Sequence, residues 1–145
     1  MFNKSLFSSC SDNWSTPQDL FDQLDLEFDF TLDPCADDYN HKCDKYYTVD
    51  QDGLVMDWGI GERIFVNPPY GRVLKKWVEK CFVVNRDQGN LIVMLIPSRT
   101  DTAWFHDYIY NNPNVTIRFL RGRVYFGESK NPAPFPSMVV IFNQR

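Results

Sequence analysis

Asn67-Pro68-Pro69-Tyr70 follows directly on the apolar run Ile64-Phe65-Val66, and its residue types and spacing suit chemistry. Two prolines freeze the backbone and offer no N–H. The Pro68 carbonyl is thereby held as a fixed acceptor beside the Asn67 amide oxygen. Two acceptors aimed at one –NH2 group hold both of its hydrogens, draw the nitrogen lone pair out of conjugation and turn it towards an electrophile. Tyr70 supplies a ring on which a planar base can stack. The competing structural reading is a rigid strand exit with a tyrosine packed over it.

These residues need a scaffold, and the hydrophobic pattern supplies one. Thr16-Pro17-Gln18-Asp19 reads as a helix start, with Thr16 as N-cap and Pro17 at the first helical position. The apolar stripe Leu20, Phe21, Leu24 carries that helix to about Asp25. Phe28 to Leu32 alternates as a strand, and a short strand is predicted near Tyr46–Val49. Arg63 to Val66 is a strand, Val73 to Asn85 a helix, and Asn90 to Ile96 a buried parallel strand. A helix from Asp101 to Asn111, a strand from Val115 to Leu120, a Gly/Pro-rich loop over 121–136 and a strand from Met138 to Phe142 complete the pattern. The alternation predicts an α/β fold, a mostly parallel sheet with an antiparallel edge. Asp33-Pro34-Cys35-Ala36, Asn67-Pro68-Pro69-Tyr70 and Pro97-Ser98-Arg99 each follow a predicted strand. They should therefore converge at the carboxyl edge of the sheet, where ligands bind in such folds.

The 145 residues suit one domain, 1–145, with nothing left for a separate target-recognition domain. Composition excludes a disordered chain: 43% of residues are hydrophobic and 23% charged. No apolar run approaches the ~20 residues of a membrane span, and Met1–Cys10 does not read as a secretory signal. Cys10, Cys35, Cys43 and Cys81 form no Cys-x-x-Cys pair. His41 between Cys35 and Cys43 is too irregular a set for zinc, so no metal is expected. A reduced, cytoplasmic protein is the simpler reading. His41 and His106 read as surface or structural residues. Residues 1–66 hold 4 Lys/Arg and 14 Asp/Glu, and residues 67–145 hold 11 and 5, so a net charge of −4 hides a basic second half. That half keeps nucleic acid open as a partner.

The chain resembles the phage-type DNA N6-adenine methyltransferase (Dam) family. The resemblance runs from Trp14 to about Phe142. It rests on Trp14-Ser15-Thr16-Pro17, Leu32-Asp33-Pro34-Cys35-Ala36, Asp52-Gly53-Leu54 with Asp57-Trp58, Val66-Asn67-Pro68-Pro69-Tyr70, Leu95-Ile96-Pro97-Ser98-Arg99-Thr100-Asp101 with Trp104-Phe105, Gly122-Arg123, and Phe135-Pro136-Ser137. It implies a compact Rossmann-like methyltransferase core that uses S-adenosyl-L-methionine. Asn67, Pro68, Pro69 and Tyr70 would be the catalytic set. Asp33, Cys35 and Ala36 would form the cofactor turn, with Cys35 and Ala36 standing in for the usual glycines. Trp14, Thr16 and Pro17 would wrap the methionine moiety, and Asn67 would reach the cofactor as well. Asp57 and Trp58 would meet the cofactor's adenine, with Asp52 competing for the acidic role.

On the substrate side, Arg99 and Asp101 would contact a flipped nucleotide or brace Asn67 and Tyr70. Arg118, Arg121, Arg123 and Lys130, clustered around the Gly122 loop, would grip DNA phosphates, with Ser137 beside them. The implied reaction is methyl transfer to the N6 amino group of adenine in DNA, the base leaving the stack to reach the methyl. Sequence specificity would be short, relaxed, or dependent on a homodimer partner. Methylation of RNA bases or protein glutamine, and a non-catalytic DNA-binding role, are the alternatives.

Overall fold

The computed structural model describes residues 14–145; Cys10 and the reading of Met1–Cys10 lie outside them. Helix α1, Gln18–Phe28, is followed by strands β1, Leu32–Asp33, β2, Lys45–Tyr46, and β3, Arg63–Val66. Helix α2, Leu74–Gln88, leads to β4, Leu91–Pro97. A short π-helical turn, Phe105–Ile109, precedes β5, Val115–Phe119, and β6, Ser137–Phe142.

One six-stranded sheet results, in the order β2-β1-β3-β4-β6-β5. The first four strands in that order are parallel, and β6 runs antiparallel to both β4 and β5. The expected α/β core with an antiparallel edge is what forms. From β1 the chain steps outward to β2, then returns across β1 to β3. The crevice at the carboxyl ends of β1 and β3 is therefore the point where the winding reverses, the favoured ligand position in such sheets. Asp33 ends β1 and Asn67 follows β3, so both stand at that crevice.

The central strands are buried because β4 and β6 are almost wholly apolar, and β6 is buried along its whole length. Edge strand β5 alternates and is mostly exposed. Helix α1 turns Phe21 and Leu24 inward; the Phe21 ring meets Phe65 of β3 at 5.1 Å and Phe30 at 5.6 Å. Helix α2 buries Leu74, Trp77, Val78, Cys81 and Val84, and Gly89 ends it in the left-handed conformation, with φ 78°.

Three local expectations need correction. Helix α1 runs to Phe28 and stops at Asp29, whose φ is 54°, so the alternating run Phe28–Leu32 is strand only from Leu32. The alternation reflects Phe28 and Phe30 packing side by side at 5.8 Å instead. Thr16 does not cap α1: the cap position is Pro17 and no side chain bonds there. The helix predicted over 101–111 is reduced mainly to the π turn, closed by Tyr110 N–H on the Phe105 carbonyl at 2.7 Å. That wide turn keeps Trp104, Phe105 and Ile109 buried together.

Gly53 is a close-approach glycine. A Cβ there would overlap the Pro34 carbonyl oxygen and stand 2.7 Å from the Trp77 ring. Gly53→Ala should therefore destabilise the protein by roughly 1–3 kcal/mol, the usual cost of overpacking, and lower the melting temperature by several degrees. A calorimetric scan that matches wild type would refute this packing.

Candidate active site

Asn67 stands where β3 ends because the following two prolines cannot extend the ladder. Its side-chain nitrogen donates to the Trp14 carbonyl and, at 2.8 Å, to the Thr16 hydroxyl oxygen. Its oxygen accepts from the Tyr70 hydroxyl at 2.6 Å. That hydroxyl also lies 2.9 Å from the Leu95 carbonyl, so one hydrogen has two acceptors within reach. Among the described residues no hydrogen bond reaches the Pro68 carbonyl. The Arg99 guanidinium donates to the Tyr70 carbonyl at 3.1 Å, which braces the Pro-Pro-Tyr backbone from β4's exit.

Tyr70 departs from the expectation of an open stacking face. The residue is 2% exposed, and Phe126 and Phe135 meet its ring edge-on at 6.0 and 5.7 Å. Trp14 touches the same two phenylalanines at 5.6 and 5.2 Å. Gly127 N–H donates to the Ser15 carbonyl at 2.7 Å and fastens the 121–136 loop over the site. The hydroxyl is drawn inward by two acceptors while the ring gains apolar cover; burial holds its pKa well above the usual phenol value. Sequence alone gives Phe126 no role. The one signal it carries is a cluster of aromatics inside an otherwise polar Gly/Pro-rich loop.

At the end of β1, Asp33 is 4% exposed. Its carboxylate accepts from Lys42 N–H at 2.9 Å and Cys35 N–H at 3.4 Å. No cationic side chain forms an ion pair with it among the described residues. Burial pushes its pKa up to about 6, against the two backbone bonds and the Lys42 and His41 charges that lower it. Cys35 lies close enough to Asp33 and Tyr70 to affect the ionisation of both regions, and burial raises its own thiol pKa. The turn thus lies next to the Asn67 segment, with a buried carboxylate at its base that makes no direct ion pair among the described residues and feels Lys42 and His41 only at longer range.

Asp57 and Trp58 do not join it. Trp58 is fully buried, its indole N–H bonded to the Gly53 carbonyl at 2.8 Å, and it packs beside Trp77 and Lys80. It has no free face for a ligand. Asp57 accepts from Gly59 N–H and faces Gln88 and Lys80 of α2, towards the amino ends of the strands. Asp52 lies nearer the Asp33–Ala36 turn: it is exposed, has φ 61°, and precedes Gly53, which packs on Pro34 of that turn. His41 stacks on Tyr46 at 3.9 Å with Nδ1 at the Cys43 carbonyl, a structural arrangement.

The basic residues divide. Arg118 forms a bidentate pair with Glu27 at 2.7 and 2.6 Å, so the expected phosphate contact is committed elsewhere. Arg121, Arg123 and Lys130 are exposed on the loop, Arg123 also bonding the Ala133 carbonyl at 3.3 Å. Asp101 is exposed near Arg99. Ser137 is 1% exposed at the start of β6 and its hydroxyl makes no hydrogen bond, so it does not face outward to DNA. Three exposed cations at the start of α2, Arg72, Lys75 and Lys76, join the rim without having been expected there. Their signal is plain: three cations within five residues, directly after Tyr70-Gly71.

A family model described as DNA N-6-adenine-methyltransferase (Dam) matches residues 4–144. Over 98 residues the chain is 34% identical to the DNA N-6-adenine-methyltransferase of Escherichia phage T1, a match covering 65% of this chain and 39% of that protein. Over 144 residues it is 29% identical to the DNA N-6-adenine-methyltransferase of Haemophilus phage HP1 (strain HP1c1), covering 94% of this chain and 82% of that one. No described helix is long and apolar enough to cross a membrane.

Asp33 makes stability depend on pH in a definite direction. Its folded pKa of about 6 lies above the ordinary carboxylate value. Between roughly pH 4 and 6 the folded state holds a proton that the unfolded state has lost, so this contribution falls as pH rises and is flat above. The full change should be on the order of 2–3 kcal/mol, at about 1.36 kcal/mol for each tenfold change in proton affinity. Urea unfolding of wild type and Asp33→Asn at pH 4 and pH 7.5 should show the variant gaining relative stability at the higher pH. A difference that stays constant across that range would refute the buried, unpaired carboxylate.

Proposed function

The chain belongs to the DNA N-6-adenine-methyltransferase (Dam) family, and on that footing we propose that it transfers a methyl group from S-adenosylmethionine to the N6 amino group of adenine in DNA. The observation that carries the reading is the Asn67 amide. Its two N–H groups are held by Trp14 and Thr16, so its oxygen is turned, with the Pro68 carbonyl, to serve as an acceptor for an amino group.

The donor set also suits the cofactor. Asp33 is a buried carboxylate that makes no direct ion pair among the described residues, beside small Cys35 and Ala36, and a ligand carrying positive charge would compensate it. Asp52 would take the cofactor's polar adenosine end. When bound, S-adenosylmethionine supplies an electrophilic methyl group on sulfur. Asn67 and Pro68 hold the two amino hydrogens of the target adenine and direct its lone pair along the line of transfer. Once it has received the methyl group, the amino nitrogen would shed one proton to solvent. No strong base is required, so catalysis is positioning and preorganised electrostatics. The adenine must leave the helix stack to reach this edge, and Tyr70 gains an open face only once Phe126 and Phe135 move aside.

DNA would approach across Arg72, Lys75 and Lys76 on one side and Arg121, Arg123 and Lys130 on the other. Such contacts fix register and carry no sequence information. The basic rim favours a nucleic acid over a glutamine-bearing protein, and the family relationship favours DNA over RNA.

Asn67→Ala should lower methyl transfer by about 10², the scale of losing one preorganised transition-state hydrogen bond, while cofactor affinity changes little. Labelled cofactor incubated with plasmid DNA, RNA or protein supplies the assay. Near wild-type transfer by the variant, or label in RNA or protein but not DNA, would overturn the reading.

The rim makes a separate prediction. Each phosphate contact contributes roughly 0.9 to the slope of log affinity against log salt on duplex DNA. Arg121→Ala with Arg123→Ala should flatten that slope by up to about 2, weaken all duplex sequences alike and leave cofactor binding unchanged. An unaltered slope would make these arginines ordinary surface charge.

A further inference from the structure

Thr16 is 6% exposed, and its hydroxyl oxygen accepts a hydrogen bond from the Asn67 side chain at 2.8 Å. In sequence it looks like a helix cap, but the cap position of α1 is Pro17 and carries no side-chain bond. The hydroxyl therefore serves a residue 51 positions away instead of its own helix. We infer that Thr16 is a positioning residue: with the Trp14 carbonyl it fixes which end of the Asn67 amide faces the substrate. The inference rests on the proposed methyl transfer and deepens it, because it makes the amino-terminal segment part of the amino-group clamp.

An Asn side chain has two ends of nearly equal size, an acceptor oxygen and a donor NH2, and its partners decide which way it points. The Trp14 carbonyl can only accept, so it selects the NH2 end. Thr16 takes the second N–H. Rotated by half a turn, the amide would set its oxygen against the Trp14 carbonyl, acceptor against acceptor, and would present N–H groups to an incoming amino group that is itself a donor. Such an amide repels the substrate it should hold.

The other side of the amide has a matching device. The Tyr70 hydroxyl carries one hydrogen and has two acceptors in reach, Asn67 Oδ1 at 2.6 Å and the Leu95 carbonyl at 2.9 Å. Without substrate it satisfies the Asn67 oxygen. When the substrate amino group donates to that oxygen, the hydroxyl turns its hydrogen to Leu95, and no buried acceptor is stranded. The arrangement works only if the Asn67 oxygen stays on the Tyr70 side, which the acceptor-only Trp14 carbonyl selects and the Thr16 hydroxyl, by taking the second N–H, holds in place.

Thr16→Val keeps the branched shape and removes the acceptor, and Thr16→Ser keeps the acceptor. At saturating cofactor, Thr16→Val should lower kcat about tenfold, the scale of one hydrogen bond's net contribution, with the cofactor dissociation constant within about twofold of wild type. Thr16→Ser should retain most of the rate. The NH2 protons of Asn67, assigned by ¹⁵N NMR against Asn67→Asp, should exchange with solvent at least about tenfold faster in Thr16→Val than in wild type or Thr16→Ser. A wild-type kcat with unaltered amide exchange would overturn the inference. So would a loss of rate accounted for wholly by weaker cofactor binding, which would make Thr16 a cofactor ligand. If wild type labels no DNA, the methyl-transfer reading falls on its own, and the amide exchange of the three proteins still decides the positioning role.

Discussion

A primary amide can donate two hydrogen bonds, and at Asn67 both donors are satisfied by a segment 53 and 51 residues upstream. The carboxyl edge depends on that long-range contact. It requires the start of α1 to lie over the end of β3. The contact that brings it there is apolar: Phe21, one turn into α1, meets Phe65, two residues before Asn67. Phe30 packs on both rings and ties the exit of α1 to the same place. Burial of aromatic surface is not directional and sets position only coarsely. The hydrogen bonds of Trp14 and Thr16 then fix orientation, and the amide points one way.

The same segment anchors the loop above the site. Ser15, between the two residues that hold Asn67, accepts the Gly127 N–H, and Trp14 packs on Phe126 and Phe135. Gly122 and Gly127 have φ of 75° and 58°, so the loop turns at two positions where a side chain would be strained. Orientation of Asn67 and closure over Tyr70 therefore share one short stretch of backbone. A planar ligand that stacks on Tyr70 must replace rings of similar shape, Phe126 and Phe135. The apolar cover lost when they leave is regained against the ligand.

Whatever depends on local chemistry is legible in the sequence. The strand Arg63–Val66 is readable to the residue, since the three apolar, β-prone residues Ile64 to Val66 run into Asn67 and two prolines. The convergence of Asp33, Asn67 and Arg99 follows from each lying at or just beyond the end of a parallel strand. What is not legible comes from long-range pairing. Thr16 before a proline carries the same signal whether its hydroxyl caps a helix or orients an asparagine. Trp58 beside an acid looks like a ligand platform, but packing with Trp77 buries it completely. Arg118 counts as a free cation in sequence because its partner Glu27 lies 91 residues away. In sequence Asp57, beside Trp58, reads as the acid for the cofactor's adenine ahead of Asp52. In the structure the two separate because Gly53 must fit against Pro34, which carries Asp52 to the edge and leaves Asp57 beside α2.

The placement of charge around α2 is unbalanced at the carboxyl edge. A helix has a positive amino end, so cations there are unfavourable by about 0.3–1 kcal/mol each, and acids are favoured. Helix α2 has no acid in its first turn, and Arg72, Lys75 and Lys76 cluster at that end. Folding gains nothing from this arrangement. A polyanion laid across the edge would convert it into attraction, because phosphates complement both the cations and the helix end. At the end of β1 the sign is reversed: Asp33 is a buried acid that makes no direct ion pair among the described residues. Under the proposed reaction these two imbalances have complementary ligands, a cationic cofactor at the base of the crevice and DNA phosphates at the rim. An exchange of the two would set like charges against each other at both positions. The same electrostatics that make each site costly when empty therefore keep the two substrates from binding in each other's place.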